Sequence, residues 1–303
     1  MATHHFQPTA WHNVLATLPP ALVVDSGDTI ITETVDANGW DRHDRKVSRG
    51  PNPMNGPIAI RGAMPGDRLR VEILAMDPVR ATGWTRAALA ENTVDPAFVP
   101  QLPSRRRVLW SIDAASRSVT LQDPPAALQT LTLALAPMIG CFGVAPSGGQ
   151  AISTATSAEH GGNMDYRRLG PGATIWFPIF AAGALFYLGD CHALQGDGEV
   201  VGTGVETCFR VTLRLTVEQR TIIWPRGETG RDIFTLGNAR PLEQALQHAT
   251  TEMTRWLAED YGLDILAAGH LLGQAVRYDI ANVFDPAFTI ACRLSKDLLT
   301  PRR

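Results

Sequence analysis

Lysine is almost absent from this chain, although basic residues are common. Only Lys46 and Lys296 occur among its 27 lysine and arginine residues, so arginine carries nearly all of the positive charge. Lys46 lies in a loop-like segment and Lys296 lies near the end of the sequence. A reaction that depends on a buried lysine as its base is therefore disfavoured.

Closely spaced cysteines and long apolar runs are also missing. The four cysteines form no C-x-x-C pair, and the first residues contain no apolar signal core. The most apolar stretch, residues 173–188, is interrupted by Pro178 and Gly183 and is shorter than the roughly 20 residues that cross a bilayer. We expect a cytoplasmic protein that has no membrane span.

The charge pattern gives no attraction to nucleic acid. The formal net charge is −3, and the single basic run, Arg105–Arg107, leads directly into the apolar residues 108–110. This run is typical of a solvated strand start. The glycines of residues 143–149 lack the Lys-Ser/Thr ending of a phosphate-binding loop.

Most of the chain has the pattern of short strands separated by turns. Leu69, Val71 and Ile73 alternate with polar residues, and residues 211–217 alternate in the same way. Residues 37–55 are rich in Gly, Asn, Pro and charge, which predicts a loop that covers another part of the molecule. The 303 residues, 45% of them apolar, suffice for one unit over 1–303. A subdivision into an amino-terminal β part, 1–135, and a site-bearing part with the helices, 136–303, stays open.

Helical spacing appears only late in the sequence. Apolar residues recur at intervals of three and four from Pro241 to about Tyr261, and Gly262 then provides a stop. A second helical segment follows over residues 264–274. The sequence thus predicts an α+β fold that is predominantly β, with β-sandwich or barrel-like sheets and a long carboxyl-terminal helix packed on them.

Two neighbouring segments concentrate the residues that carry chemistry. Residues 160–165 read His-Gly-Gly-Asn-Met-Asp, and residues 189–199 contain Gly-Asp-Cys-His and then Gly-Asp-Gly-Glu. Asp190 and His192 stand two apart at the end of a predicted strand, so their side chains should share one face. Buried acids and imidazoles are costly unless they are paired or bound to metal, which indicates a metal or acid–base site.

This pattern suggests a role for each candidate. His160, Asp190 and His192 are candidate ligands of a divalent ion, with zinc favoured and calcium as the alternative. Glu199 is the preferred general base, with Asp197 and Glu206 as alternatives. The remaining candidates are Asn163 and Asp165 as catalytic groups and three glycines whose backbone lets substrate approach: Gly161, Gly162 and Gly196.

Structural roles compete with several of these assignments. His160 alone could be a hydrogen-bonded core histidine, and Asp165 could brace its own loop instead of acting in catalysis. Cys191 is an alternative nucleophile between Asp190 and His192, but on a strand its thiol would point to the opposite face. His43, flanked by two aspartates, could contribute to the pocket from its loop.

Several linked motifs resemble the acetamidase/formamidase family, in matching order from residue 20 onward. They are Gly56–Ile58, Pro65–Asp67, Met138–Pro146, His160–Asp165 and Gly189–Glu206. The resemblance implies that the protein hydrolyses small linear amides in a β-dominated fold and forms a homodimer or a larger homo-oligomer. It also adds Asp36 as a further metal ligand. A non-catalytic protein that binds small molecules in the same fold stays an alternative.

Overall fold

Short strands dominate residues 1–300, the part of the chain that the computed structural model describes. In chain order the strands are β1 (Thr3–Phe6), β2 (Val14–Leu15), β3 (Leu22–Val24), β4 (Asp28–Glu33), β5 (Asn55–Ile60), β6 (Arg68–Pro78), β7 (Thr82–Arg86), β8 (Arg107–Asp113), β9 (Ser118–Leu121), β10 (Thr132–Ala134), β11 (Met138–Gly143), β12 (Ile152–Ser153), β13 (Ser157–Ala158), β14 (Gly161–Asn163), β15 (Thr174–Pro178), β16 (Phe186–His192), β17 (Glu206–Thr207), β18 (Phe209–Glu218), β19 (Arg226–Glu228), β20 (Asp232–Ala239), β21 (Arg277–Asn282) and β22 (Phe288–Ser295). The helices of these residues are α1 (Leu242–Tyr261) and α2 (Ile265–Ala275).

Most strands belong to two large sheets, neither of which closes on itself. The first sheet has nine strands in the order β1-β4-β18-β6-β15-β19-β20-β22-β21. The second follows the path β10-β9-β8-β7-β17-β16-β11-β14-β13, with β5 joined through β16 and β3 paired to β5. Both sheets take strands from either side of residue 135. The prediction of a mostly β, α+β fold is confirmed, in the form of open sheets.

The main core lies between the two sheets. Val71 and Leu213 from the first sheet belong to one buried cluster with Ile139, Phe142 and Phe186 from the second. On β18, the residues Val211, Leu213 and Leu215 are all buried, because alternate side chains of a strand share one face. The alternation of apolar residues that the sequence shows is therefore the set of side chains that this strand directs into the core.

The predicted long helix is present and packs on the first sheet. Helix α1 begins after Pro241 and ends at Gly262, whose φ of 69° is the left-handed conformation that glycine adopts easily. Its buried residues, including Ala249 and Met253, share a second apolar cluster with Ile233 of β20 and Ile290 of β22. No helix within residues 1–300 is both long and apolar enough to cross a membrane.

A buried ion pair fixes α1 against strand β19. Nε of Arg226 lies 2.7 Å from Oε1 of Glu252, and the exposed fractions of the two side chains are 1% and 0%. Arg226 also binds Glu259, two turns further along α1 and partly exposed, through a second contact of 2.7 Å. Loss of either buried partner would leave the other charge with only a partly exposed residue, because Arg226 would keep Glu259 and Glu252 would keep Arg255.

We expect Glu252→Ala to lower the free energy of unfolding by about 3–5 kcal/mol, because the buried Arg226 guanidinium then keeps only the partly exposed Glu259. The matched control is Glu243→Ala, which removes an exposed acid from the first turn of the same helix and should cost less than about 1 kcal/mol. Chemical denaturation measures both variants. Equal losses would mean that the pair does not hold α1 on the sheet.

Candidate metal centre and active site

Strands β16 and β17 bring a histidine and two acids together. Asp190 and His192 share one face of β16, with Nε2 of His192 3.4 Å from Oδ1 of Asp190. Glu206 stands directly opposite His192 on β17, and its Oε1 lies 3.1 Å from the same nitrogen. All three side chains are buried, with exposed fractions of 3% or less. One imidazole nitrogen therefore faces two carboxylates inside the protein.

Gln195 fixes the tautomer of the neutral His192 ring. The side-chain nitrogen of Gln195 donates to the backbone oxygens of Asp165 and Ala281, so its Oε1 is the atom 2.9 Å from Nδ1 of His192. That oxygen can only accept, and Nδ1 must carry a proton. In the neutral ring Nε2 then presents a lone pair to the carboxylates, the orientation of a metal-binding histidine held by an outer partner.

Three further acids complete the cluster around Asn282, at the end of β21. The side-chain nitrogen of Asn282 lies 2.6 Å from Oδ2 of Asp165, 3.2 Å from Oε2 of Glu199 and 2.7 Å from Oδ2 of Asp285. Candidate ligand atoms of Asp165, His192 and Glu199 lie within 4.8 Å of one another, as do those of Asp190, His192 and Glu206. His192 is therefore shared by two overlapping acidic groups.

Burial and mutual repulsion raise the pKa values of these acids. Burial first, and then the charge of Asp190, raises the pKa of Asp165 to about 6. Burial raises the pKa of Glu206 to about 8 although His192 opposes it. The pKa values of Glu199 and Asp285 lie well above their usual range for the same two reasons, burial and neighbouring carboxylates. A group of this kind needs positive charge in order to ionise.

The same burial acts on His192 in the opposite direction. Burial alone would lower the pKa of its imidazole, but the carboxylates of Glu206 and Asp190 raise it well above the usual value. The ring and the acids therefore compete for protons, and a bound cation would replace those protons.

Two oxygens of the cluster lack hydrogen-bond partners, and they show whether a metal ion would fit there. Oδ1 of Asp165 and Oε2 of Glu206 are buried and have no hydrogen-bond partner. Buried polar atoms are rarely left unpaired, and carboxylate oxygens beside an imidazole lone pair form a donor set that suits a divalent ion. The residues therefore fit a metal ion in this position.

The backbone is shaped to bring the acids close together. Asp165, Asp190 and Glu199 have φ values of 46°, 51° and 49°, which few non-glycine residues adopt. Gly140, on the adjacent strand β11, leaves the space for two of them. A Cβ atom at this position would lie 2.4 Å from Oδ1 of Asp165 and 2.9 Å from Oδ2 of Asp190.

The cluster borders a cavity of about 370 Å³. Four of the acids line it, whereas Asp165 and His192 lie behind this surface. The lining residues that matter below are Asn52, Trp84, Arg86, Arg105, Asn163, Asp190, Glu199, Glu206, Phe284 and Asp285. The predicted covering loop contributes Ala37, Asn38, Pro51 and Asn52 to one wall.

Asn163 lies in this cavity with a partly used amide. Its oxygen accepts a hydrogen bond from Asn52 at 2.9 Å, and its nitrogen donates to Asp285. Because an amide nitrogen carries two hydrogens, one donor of Asn163 remains for a ligand.

His160 does not join the cluster. Its ring is buried, both ring nitrogens lack hydrogen-bond partners, and it belongs to neither acidic group of residues 1–300. Burial lowers the pKa of this imidazole to about 4, so the ring is neutral at pH 7. The candidate centre is therefore built on one histidine, in contrast to the two that the sequence suggested.

Asp36 has other partners that use both of its oxygens. Oδ1 accepts hydrogen bonds from the backbone nitrogens of Asn38 and Trp40, and Oδ2 accepts from Arg80 at 2.8 Å and from Trp84 at 3.1 Å. This carboxylate is therefore committed to anchoring the covering loop and the Trp84 side chain. Asp36 lies outside both acidic groups and does not itself line the cavity.

The predicted glycines also lie away from the cavity surface. Gly161 and Gly162 belong to β14 and have φ values of 91° and 96°, and a Cβ on either would meet neighbouring backbone at 2.6 Å or less. Their absence of a side chain allows this strand to pair closely. Gly196 precedes the short 3-10 turn Asp197–Glu199 and does not line the cavity.

The structure also shows where three alternative candidates from the sequence lie. Asp197 is exposed and forms a salt bridge with Arg167, so it faces away from Glu199. The Cys191 side chain packs in the main core, as expected for the opposite face of the strand, and burial raises the pKa of its thiol to about 12. His43 lines a different cavity.

Sequence reasoning missed Gln195, Asn282 and Asp285, and it treated Glu206 only as an alternative base. Glu206 could have been found by pairing its short strand with His192 across a hairpin. Asn282 and Asp285 carry the weaker signal of two polar residues at the end of a strand near the carboxyl terminus. The fold brings them close to Asp165, and their spacing along the chain does not reveal this contact.

Fold and pocket together define a β-dominated protein with a buried acidic centre built on one histidine. The chain belongs to the Acetamidase/Formamidase family, whose sequence profile matches residues 3–149 and 148–243. Its structure is similar to that of an acetamidase from Yersinia enterocolitica, with a TM-score of 0.86 and 31% identity over 98% of this chain and 93% of that chain.

Curated relatives are more distant and longer. An acetamidase from Mycolicibacterium smegmatis is 27% identical in an alignment 209 residues long, and the match covers 52% of this chain and 51% of the relative. A formamidase from Methylophilus methylotrophus is 24% identical in an alignment 245 residues long, and the match covers 64% of this chain and 59% of the relative. The chain thus spans between half and three fifths of the length of these relatives.

We expect Gly140→Ala to weaken retention of a divalent metal roughly 10- to 100-fold, because the added methyl group displaces the carboxylates of Asp165 and Asp190. Metal content after dialysis against graded chelator concentrations measures this effect. Gly269→Ala in α2 is the matched control, since its Cβ would have no neighbour within 4 Å. Equal metal retention in both variants would separate Gly140 from the centre.

Proposed function

We propose that the chain hydrolyses the carbon–nitrogen bond of small linear amides, such as formamide or acetamide, to a carboxylate and ammonia. The observation that carries the proposal is the convergence of His192 and five buried carboxylates beside one cavity, which four of these acids line. Family membership supports the same activity, since the relatives named above are an acetamidase and a formamidase.

A divalent cation is part of this proposal. Asp190, His192 and Glu206 would hold it, because they surround one imidazole lone pair with carboxylate oxygens. Zinc is favoured over calcium, since calcium sites use oxygen ligands and rarely an imidazole. When bound, such a cation polarises a carbonyl group and lowers the pKa of water towards about 7.

Glu199 is the proposed general base. It lines the cavity next to the acidic group and is 6% exposed, so it is both buried and within reach of a ligand. Its carboxylate takes a proton from the attacking water and returns it to the nitrogen as the carbon–nitrogen bond breaks. Burial raises the pKa of the Glu199 carboxyl well above its usual range, which makes its carboxylate a stronger proton acceptor.

Asn163 and Asp165 support the reaction in different ways. The free N–H of Asn163 binds the amide oxygen as negative charge develops on it. Asp165 shares the Asn282 amide with Glu199, so it helps to hold that base in position. Neither role requires the two residues to exchange protons with the substrate.

The proposal extends to the domain organisation, the compartment and the oligomeric state of the enzyme. We propose one unit over residues 1–303, because both sheets mix strands from the two halves. All four cysteines are free, which fits a reducing cytoplasm. Ile265 and Leu266 on α2 are 84% and 70% exposed, which fits burial in a homodimer or larger homo-oligomer, and sedimentation tests that state.

We expect Glu199→Gln to reduce ammonia release from formamide and acetamide by at least about 100-fold, because the amide side chain cannot accept the proton. The matched control is Asp197→Asn, two residues away on the same turn, where only an exposed salt bridge is lost. The control should keep its turnover. Full activity of Glu199→Gln would remove this residue from the mechanism.

We also expect a strong chelator to abolish ammonia release and zinc to restore it, with one equivalent of metal per chain in the active protein. The physical reason is that the carboxylates cannot ionise together without a cation. Elemental analysis before and after chelation gives the count. Bound metal without any ammonia release would favour the non-catalytic binding protein, and turnover by metal-free protein would contradict the cation's role.

A further inference from the structure

The lining of the cavity contains two arginines as well as the acids. They are Arg86 and Arg105. The Arg105 guanidinium donates one hydrogen bond, to the backbone oxygen of Val201 at 2.6 Å, and lies 5.1 Å from the centre of the Phe284 ring. The Arg86 guanidinium lies 5.6 Å from the centre of the Trp84 ring.

Within residues 1–300, neither guanidinium forms an ion pair, although the charges of Glu91 and Glu199 attract Arg105 from further away. Most other buried or half-buried arginines of the described residues, such as Arg80 and Arg226, lie within 4.0 Å of a carboxylate oxygen. Among these residues, Arg86 and Arg105 have no carboxylate at this distance. The two charges also affect each other, since burial and then the charge of Arg86 lower the pKa of Arg105. Aromatic stacking holds such groups in place without cancelling their charge.

These unused donors match one kind of ligand group. A guanidinium presents several N–H groups in a plane, and a carboxylate accepts two of them in parallel. Arg105 uses only one of its donors on Val201, which leaves donors for a ligand in the cavity. Two neighbouring cations that share a carboxylate would also lose most of their mutual repulsion.

The size of the cavity allows a molecule longer than acetamide. Its volume of about 370 Å³ lies in the range of sites that bind ligands with many more atoms than the simplest amides. The acids, the proposed base and the two arginines all line this one cavity. A ligand that contacted both sets of residues would carry an amide group and, on another part of the molecule, a negative charge.

We propose that the preferred substrate is an amide that also carries a carboxylate, such as the half-amide of a short dicarboxylic acid, and that Arg86 and Arg105 bind this carboxylate. The inference rests on the proposed amide hydrolysis and names its substrate class. The reaction is unchanged: water replaces the amide nitrogen, ammonia leaves, and a dicarboxylate is formed. Arg86 and Arg105 determine specificity and take no part in proton transfer.

The test compares kcat/KM for ammonia release from malonamate, succinamate and glutaramate with that from neutral succinamide and acetamide. We expect at least one half-amide to exceed its neutral partner by about 10-fold or more. Arg105→Gln and Arg86→Gln should each reduce this ratio about 10- to 100-fold, because each removes a charge-assisted contact. Arg106→Gln, which removes an exposed neighbour outside the cavity, should keep the ratio.

A measurement on the unmodified protein complements the variants. Rising sodium chloride should reduce the preference for the half-amide, since salt screens the partly exposed arginines. Equal or better turnover of the neutral amides by the unmodified protein would overturn the substrate class and leave amide hydrolysis intact. Failure to release ammonia from any of the compounds would overturn both proposals. An unchanged ratio in both arginine variants would place the carboxylate elsewhere and overturn their assignment.

Discussion

The structure depends on the electrostatic constraint that five carboxylates are buried around one imidazole. Water cannot stabilise these charges inside the protein, and the surrounding hydrogen bonds satisfy only part of them. Gln195 fixes the His192 ring, and a single amide nitrogen of Asn282 is in contact with three acids. Protons or a bound cation must compensate the negative charge that these hydrogen bonds leave. This requirement connects the fold to the proposed chemistry.

The two open sheets meet this constraint by bringing distant segments together. Strands β16 and β17 place Asp190, His192 and Glu206 side by side, and β21 adds Asn282 from the far end of the chain. The left-handed backbone of Asp165, Asp190 and Glu199 is costly, of order 1–3 kcal/mol for each residue. Packing of the surrounding strands has to offset that cost, which is why the centre lies deep inside a rigid β framework.

Local patterns in the sequence predicted much of the fold. Alternation at Val211, Leu213 and Leu215 identified a half-buried strand, and the spacing after Pro241 identified α1, because burial of one face sets both periods. Asp190 and His192 could be placed on one face for the same reason. The open form of the sheets and their strand order depend on pairings between distant residues, which local spacing does not encode.

The candidate site was predictable only where its residues are close in sequence. Asp190, His192 and Glu199 came from one segment, but His160 was assigned by proximity along the chain and lies outside both acidic groups. Asp36 came from the family resemblance, and in space its carboxylate holds Arg80 and Trp84. Asn282 and Asp285 could not be found from spacing, since a separation of more than 80 residues from Glu199 is closed only by the sheet.

Anomalous diffraction from crystals of the zinc-loaded protein, collected on both sides of the zinc absorption edge at neutral pH, tests the central claim most directly. The account predicts one strong anomalous peak bounded by the side chains of Asp190, His192 and Glu206. A fully loaded protein whose only peak lay at His160 or on the molecular surface would contradict it, because the buried carboxylates would then have to be neutralised by protons alone.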